Sequence, residues 1–112
     1  MLTRLQLRNF RLFENFDKSF SGCVYLLTGD NKKGKSTLME ALAISLTGNR
    51  SDNLLSIGKD KGFILANHNI NGKKYTVELR FSQRNKRGRL IITDENGVET
   101  NKKSALEHIF NY

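Results

Sequence analysis

TGDNKKGKST, residues 28–37, directly follows the apolar run CVYLL of residues 23–27. Its glycines and lysine have the Gly-x-x-x-x-Gly-Lys-Ser spacing of a loop that cradles nucleotide phosphates, from Gly29 to Ser36. The apolar run predicts a strand buried on both faces, and STLMEALAISLTG predicts a helix that stops at Gly48. This order of strand, loop and helix favours a phosphate site over a turn that binds nothing.

Each part of the loop has a predicted task toward a nucleoside triphosphate and its Mg²⁺ ion. Backbone N–H groups would point at the phosphates, and the helix N-terminus would add positive potential. Lys35 would reach the β- and γ-phosphate oxygens, the hydroxyl of Ser36 would bind Mg²⁺, and Thr37 would touch the α-phosphate. The predicted site comprises Gly29, Asp30, Asn31, Lys32, Lys33, Gly34, Lys35, Ser36 and Thr37.

Hydrolysis also needs an acidic residue for the metal and a group that orients water. The stretch RLIITDE, residues 89–95, resembles the apolar strand and Asp-Glu pair of a Walker B motif. The competing interpretation is a hairpin tip, because Asp-Glu-Asn-Gly is turn chemistry and Thr93 interrupts the apolar run. We favour the hairpin and assign no catalytic residue. A GTPase is disfavoured, because the Asn-Lys-x-Asp motif of guanine recognition is missing from the sequence.

The composition is typical of a soluble protein, and its charge suits either a polyanionic partner or a basic surface that binds no partner. The 112 residues suffice for one small domain, and 19 Lys and Arg against 11 Asp and Glu give a formal net charge of +8. No apolar run approaches the roughly 20 residues of a membrane span. The lone Cys23 cannot form an internal disulfide, which indicates a cytoplasmic protein. His68 and His108 lack partners at ligand spacing, so no other metal site is predicted.

The rest of the chain has mainly the patterns of strands. Leu5 and Leu7 alternate with polar residues, and a second, Phe-rich strand follows a bend. FILANHNI and KKYTVELRF are joined at Asn71-Gly72, the strongest short hairpin signal, and a further hairpin turns at residues 96–97. Residues 49–62 are predicted to form a surface loop. Ser104 with a glutamate three residues later predicts a capping box that opens a last helix.

The densest positive cluster is RNKRGR, residues 84–89. Such residues could bind DNA phosphates without regard to sequence, and the alternative is a solvated hairpin tip. The candidate DNA contacts are Arg84, Lys86, Arg87 and Arg89.

Residues 2–48 resemble the start of SMC-, SbcC- and RecF-type ATPases, and residues 62–81 are more loosely similar to the antiparallel strands that follow. In that superfamily an Asn-Phe or Asp-Phe pair precedes a short strand, the loop Gly-x-Asn-x-x-Gly-Lys-Ser/Thr, and a helix with an early acidic residue. The residues at the matching positions are Asn9-Phe10, Asn31, Gly34-Lys35-Ser36-Thr37 and Glu40-Ala41.

The resemblance implies an α/β fold, the N-terminal lobe of an ABC-type ATPase head, with a mixed β-sheet around one P-loop helix and antiparallel hairpins. In this superfamily the complementary C-terminal lobe carries the signature motif, Walker B and the catalytic glutamate. Two heads sandwich two ATP molecules, and the closed dimer binds DNA and regulates a nuclease or a DNA-tethering ring.

The sequence departs from this pattern at Lys32, where the superfamily usually has glycine, and it lacks a Ser-Gly-Gly signature. The last predicted helix is also short. We therefore expect one ATP-binding lobe over residues 1–112, a fragment of a split head that hydrolyses little or no ATP alone. Two alternatives remain open: a stand-alone nucleotide-sensing or partial-head regulatory protein, and a P-loop nucleotide kinase.

Overall fold

An antiparallel sheet backed by two helices forms the part of the chain that the computed structural model describes, residues 2–11, 13–19, 32–49 and 54–110. In chain order the elements are β1 (Leu2–Phe10), β2 (Phe13–Ser19), α1 (Lys32–Thr47), β3 (Lys61–Ile70), β4 (Lys73–Ser82), β5 (Arg89–Thr93), β6 (Glu99–Thr100) and α2 (Lys103–Phe110). The strand order is β2-β1-β3-β4-β5-β6. The predicted strand at residues 23–27 lies outside the described residues.

The two faces of the sheet differ because side chains alternate along each strand. One row of paired residues is buried across four strands: Leu7, Ile64, Leu79 and Leu90. Ala41 and Ile44 of α1 and Leu106 of α2 join this core, so both helices pack on the same face. The alternate positions form the opposite face, which we call the open face, and their side chains are half-buried or exposed. None of the helices in the described segments is long and apolar enough to cross a membrane.

The β3–β4 hairpin is confirmed. Asn71 and Gly72 have φ angles of 53° and 81°, which are the left-handed values that a two-residue hairpin turn requires. The helix stop at Gly48 is also confirmed, with a φ of 71° and an N–H that donates to the Ile44 carbonyl oxygen at 2.8 Å. Helix α1 begins at Lys32, four residues earlier than the serine at which the sequence pattern placed it.

Two boundary predictions are wrong. Within the predicted surface loop, Leu54 is fully buried and Leu55 forms a β-bridge with Phe10, so the described end of the loop belongs to the core. The prediction followed the predominance of polar residues in this segment and overlooked the apolar pair Leu54-Leu55, which indicates burial. Ser104 lies inside α2, which begins at Lys103, so it does not cap the helix. The first residue of a helix commonly differs by one or two positions from the one that a sequence pattern indicates, because helix ends fray.

His68 is a buried polar side chain of β3 that contacts both helices. Its Nε2 lies 3.5 Å from Ser45 Oγ on α1, and its ring packs edge-on against Phe110 of α2 with centroids 4.9 Å apart. Ser45 Oγ donates its own proton to the Leu42 carbonyl oxygen at 2.7 Å. Burial disfavours the imidazolium and lowers the pKa of His68 from 6.5 to about 4.

Replacement of Gly62 by Ala should destabilise the sheet strongly. A Cβ there would press on the Arg8 carbonyl oxygen and lie 2.8 Å from Cε2 of Phe81. Because the carbonyl belongs to the neighbouring strand and cannot rotate away, we expect a loss of about 3 kcal/mol in the free energy of unfolding. Gly58→Ala is the control, since that site has a φ of 82° but no neighbour within 4 Å, and should cost about 1 kcal/mol. Urea unfolding measures both, and equal losses would contradict the clash.

The pKa of His68 predicts a pH dependence of stability. Between pH 6.5 and about 4 the unfolded chain binds a proton at His68 that the folded chain excludes, so stability falls as the pH falls through this window. The loss should reach on the order of 3 kcal/mol. His68→Gln removes this contribution and leaves the carboxylates unchanged. Urea unfolding of both proteins at pH 7 and pH 4 measures the difference, and parallel losses would contradict the prediction.

Candidate functional site

The described part of the predicted phosphate loop lies at the N-terminal end of α1. Lys32 to Thr37 form the first turns of this helix, and the first turn contains no acidic residue. Ser36 is exposed and Thr37 is half-buried. The remaining predicted residues, Gly29, Asp30 and Asn31, lie outside the described residues. Helix N–H groups without intrahelical partners and positive potential therefore occur where the sequence predicts phosphates.

A bidentate ion pair ties this helix to the turn between β1 and β2. Arg11 Nε and a terminal guanidinium nitrogen each lie 2.9 Å from a carboxylate oxygen of Glu40. Glu40 follows Ser36 by four residues, so the pair lies one helical turn beyond the predicted Mg²⁺-binding hydroxyl. Arg11 has no role in the site predicted from the sequence, although it directly follows the Asn9-Phe10 pair that supported the family resemblance.

The backbone around Arg11 has unusual φ angles and is held by several hydrogen bonds. Asn9 and Arg11 have φ angles of 50° and 53°, in the left-handed region that non-glycine residues rarely occupy. The Arg11 N–H donates to the Leu54 carbonyl oxygen at 2.9 Å, and Ser56 Oγ donates to the Arg11 carbonyl oxygen at 2.6 Å. Asn9 Nδ2 donates to the Lys61 carbonyl oxygen at 2.8 Å. These bonds hold the turn in place and so fix where the Arg11 guanidinium meets α1.

The hairpin interpretation of residues 89–95 is confirmed, which disfavours the Walker B alternative. Asp94 follows β5 directly, and its Oδ1 accepts the backbone N–H groups of Asn96 and Val98, each at 2.9 Å. Gly97 has a φ of 81°, and β6 then pairs back onto β5. The Asp94 carboxylate is thus a turn cap. In the loop that follows β4, the Gln83 side-chain amide donates to the Lys59 carbonyl oxygen at 3.0 Å.

The candidate DNA contacts are divided between a loop and a strand. Arg84, Lys86 and Arg87 are exposed in the β4–β5 loop. Arg89 is in β5 and pairs with Arg80 of β4, so its side chain is on the open face. The loop is ordered by Asn85, whose Oδ1 accepts the Gly88 N–H at 3.1 Å. The structure therefore separates the sequence cluster into two surfaces.

Another arginine of the open face is neutralised by a carboxylate. Arg4 of β1 contacts Asp17 of β2 through two nitrogens, at 2.9 and 2.7 Å, and Gln6 donates to the same carboxylate at 3.1 Å. The hydrogen bond from Arg4 is the main cause that lowers the pKa of Asp17. The bidentate geometry leaves Arg4 unsuited to capture an external anion.

Comparison with known proteins identifies the fold. A family model described as an AAA domain matches residues 4–111. The DNA replication and repair protein RecF of Clostridium acetobutylicum is 30% identical over 115 residues, which are 98% of this chain and 31% of that protein. RecF of Agathobacter rectalis is 28% identical over 116 residues, 99% of this chain and 31% of that protein. The chain thus spans about three tenths of the length of these relatives.

Among solved structures, the chain is similar to the recombination mediator protein RecF-ATPrS of the RecFOR pathway. The TM-score is 0.73 at 20% sequence identity, over 95% of this chain and 29% of that one. A structure of RecF-ATP gives a TM-score of 0.69 at the same identity, over 91% of this chain and 28% of that one. The α/β fold predicted from the sequence is confirmed by these similarities and by the family match. The chain belongs to the AAA domain family, and its fold is similar to part of the RecF fold.

Proposed function

We propose that this chain is the ATP-binding lobe of a DNA repair and recombination ATPase. The observation that carries the proposal is the Gly-x-x-x-x-Gly-Lys-Ser motif, whose last five residues, Lys32 to Ser36, begin α1 and end with the exposed Ser36. The names of the relatives support the process, since they are DNA replication and repair proteins, and a similar solved structure is that of RecF-ATP.

The residues at the start of α1 fit ATP and Mg²⁺ in their chemistry. Lysine ammonium groups and free helix N–H groups bind phosphate oxygens, and a serine hydroxyl is a suitable Mg²⁺ ligand beside them. In this proposal Lys35 holds the β- and γ-phosphates, Ser36 holds the metal, and Thr37 contacts the α-phosphate. The Arg11–Glu40 pair positions α1 one turn beyond these groups.

Hydrolysis in this proposal needs residues from elsewhere. In the part of the chain that the structure describes, the Asp94 carboxylate caps a turn, so it is a poor candidate for the metal-binding acid. We infer that residues 1–112 are one lobe of a split head and that a complementary C-terminal lobe supplies the catalytic acid. Two such heads would sandwich two ATP molecules. A nuclease partner and a role at double-strand breaks follow from the superfamily resemblance and rest on it alone.

DNA is the proposed macromolecular partner. The formal net charge of +8 favours a polyanion, and electrostatic attraction to phosphates would make the binding depend on salt. A cytoplasmic location is part of the proposal and rests on the single cysteine and the repair function of the relatives.

Lys35→Ala should weaken Mg-ATP binding by about ten- to a hundredfold. The variant loses charge-assisted hydrogen bonds to phosphate, which contribute about 1.5–3 kcal/mol. Titration calorimetry measures the affinity. Lys73→Ala is the matched control, because it removes the same charge from an exposed site beside the Asn71–Gly72 turn and should bind normally. An unchanged affinity in Lys35→Ala would place ATP elsewhere and refute the proposed site.

The chain by itself should bind Mg-ATP without steady release of phosphate, and Asp94→Ala should not alter that binding. We expect the variant to lose about 1 kcal/mol of unfolding free energy, because two backbone N–H groups lose their acceptor. Calorimetry, a phosphate-release assay and urea unfolding measure the three quantities. Steady turnover in the unmodified chain that disappears in Asp94→Ala would mean that this carboxylate serves the metal after all.

A further inference from the structure

The open face carries a row of cationic side chains that the sequence does not bring together. Arg8 of β1 pairs with Phe63 of β3, Phe63 with Arg80 of β4, and Arg80 with Arg89 of β5. These four residues therefore cross four adjacent strands on one face, and Lys61 joins them at the start of β3. They line one hollow of about 640 Å³, together with Asn9, Asn85 and Ser82.

The cations of this row, in contrast to Arg4, are largely available to an external anion. Arg8, Lys61 and Arg89 are exposed, and in residues 2–11, 13–19, 32–49 and 54–110 no ion pair engages any of the three. Arg80 contacts Glu78 of its own strand at 3.1 Å and is 65% exposed. Four cationic groups and one partly buried carboxylate therefore give the hollow an excess of positive charge.

The spacing of the row fits a chain of phosphates better than a single phosphate. Adjacent strands are about 4.8 Å apart, so the row from β1 to β5 extends over about 14 Å. A row of about 14 Å is wider than the major groove of B-DNA, which is about 12 Å, so we expect its cations to contact the backbone and to bind without regard to sequence. The half-buried ring of Phe63, in the middle of the row, offers an apolar surface between the charges.

The row is separated from the nucleotide site by the sheet itself. Ile64 and Leu79, next to Phe63 and Arg80 in their strands, point to the core and are almost fully buried on the side of the helices. A ligand on the open face would therefore not touch the N-terminus of α1, and the row is complete within one lobe.

We propose that the open-face row of Arg8, Lys61, Phe63, Arg80 and Arg89 binds the phosphodiester backbone of DNA in a single lobe, without ATP or a second head. This inference rests on the proposed function, in which DNA is the partner, and it goes beyond it in the site and in the independence from ATP. The β4–β5 loop, which holds the other candidate contacts, is an accessory surface in this proposal.

The test is the binding of a fluorescein-labelled DNA duplex of mixed sequence, followed by anisotropy over a series of salt concentrations without nucleotide. Arg8→Gln with Arg89→Gln should weaken binding and reduce the slope of log K against log salt by about 1.8, since each lost phosphate contact removes about 0.9. Lys73→Gln with Lys74→Gln is the matched control, with the same loss of charge at the other end of β4. Arg84→Gln with Lys86→Gln tests the loop in the same way.

The proposal predicts a large loss in the open-face variant, a smaller one in the loop variant and little change in the control. Arg8→Lys with Arg89→Lys should keep most of the affinity, and thermal unfolding checks that each variant is folded. Equal losses in all three neutralised variants would show an effect of net charge and would overturn the proposed site, as would a larger loss in the loop variant.

Failure of the inference and failure of the proposed function have different signatures. If the unmodified chain binds the duplex only when Mg-ATP is added, the independence from ATP is wrong and the proposed function stands. If the chain binds Mg-ATP but no DNA under any condition, both the open-face site and the DNA part of the proposed function are wrong.

Discussion

The register of β1, β3, β4 and β5 is the constraint on which the rest of the structure depends. It aligns Leu7, Ile64, Leu79 and Leu90 in one buried row, and a shift by one residue would expose all four and bury the arginines beside them. Such a shift would exchange apolar burial for desolvated charge, so the correct register is strongly favoured. The Asn71–Gly72 turn helps to set it, because its left-handed φ angles suit a two-residue connection.

The sheet in turn determines how α1 is held. The turn after β1 places Arg11 against Glu40, and β3 places His68 against Ser45, so two contacts of different kinds fix the helix over the sheet. The first is a half-exposed ion pair and contributes little to stability by itself. Its role is geometric, since it sets the N-terminal end of α1 against the β1–β2 turn. The helix end with the phosphate-loop residues is therefore oriented by strands that are distant in sequence.

The arginines of the open face differ in whether a carboxylate neutralises them. Arg4 is neutralised in a bidentate pair across β1 and β2, whereas the row from Arg8 to Arg89 gathers cations across four strands with one nearby carboxylate, that of Glu78. A net charge of +8 on the chain does not distinguish these cases. The distribution of the charges distinguishes them, because the attraction of a polyanion depends on how many unpaired cations the polyanion can contact at once. Among the acidic residues, Asp94 is similarly engaged, since its carboxylate accepts two backbone N–H groups of its own turn.

The sequence by itself determined the features that depend on neighbouring residues. The phosphate-loop spacing, the helix stop at Gly48, the Asn71–Gly72 turn and the hairpin after β5 all follow from local chemistry, and the structure has each one that lies in its described part. Only the tertiary structure decided the features that need distant partners. Leu54 enters the core because Phe10 and Arg11 lie beside it, Arg11 meets Glu40 across 29 positions of sequence, and Arg8 meets Phe63 and Arg80 through strand pairing. Periodicity shows which side chains share a face of one strand, but only the order of the strands shows which of them become neighbours, because pairing joins residues whose separation in the chain carries no local signal.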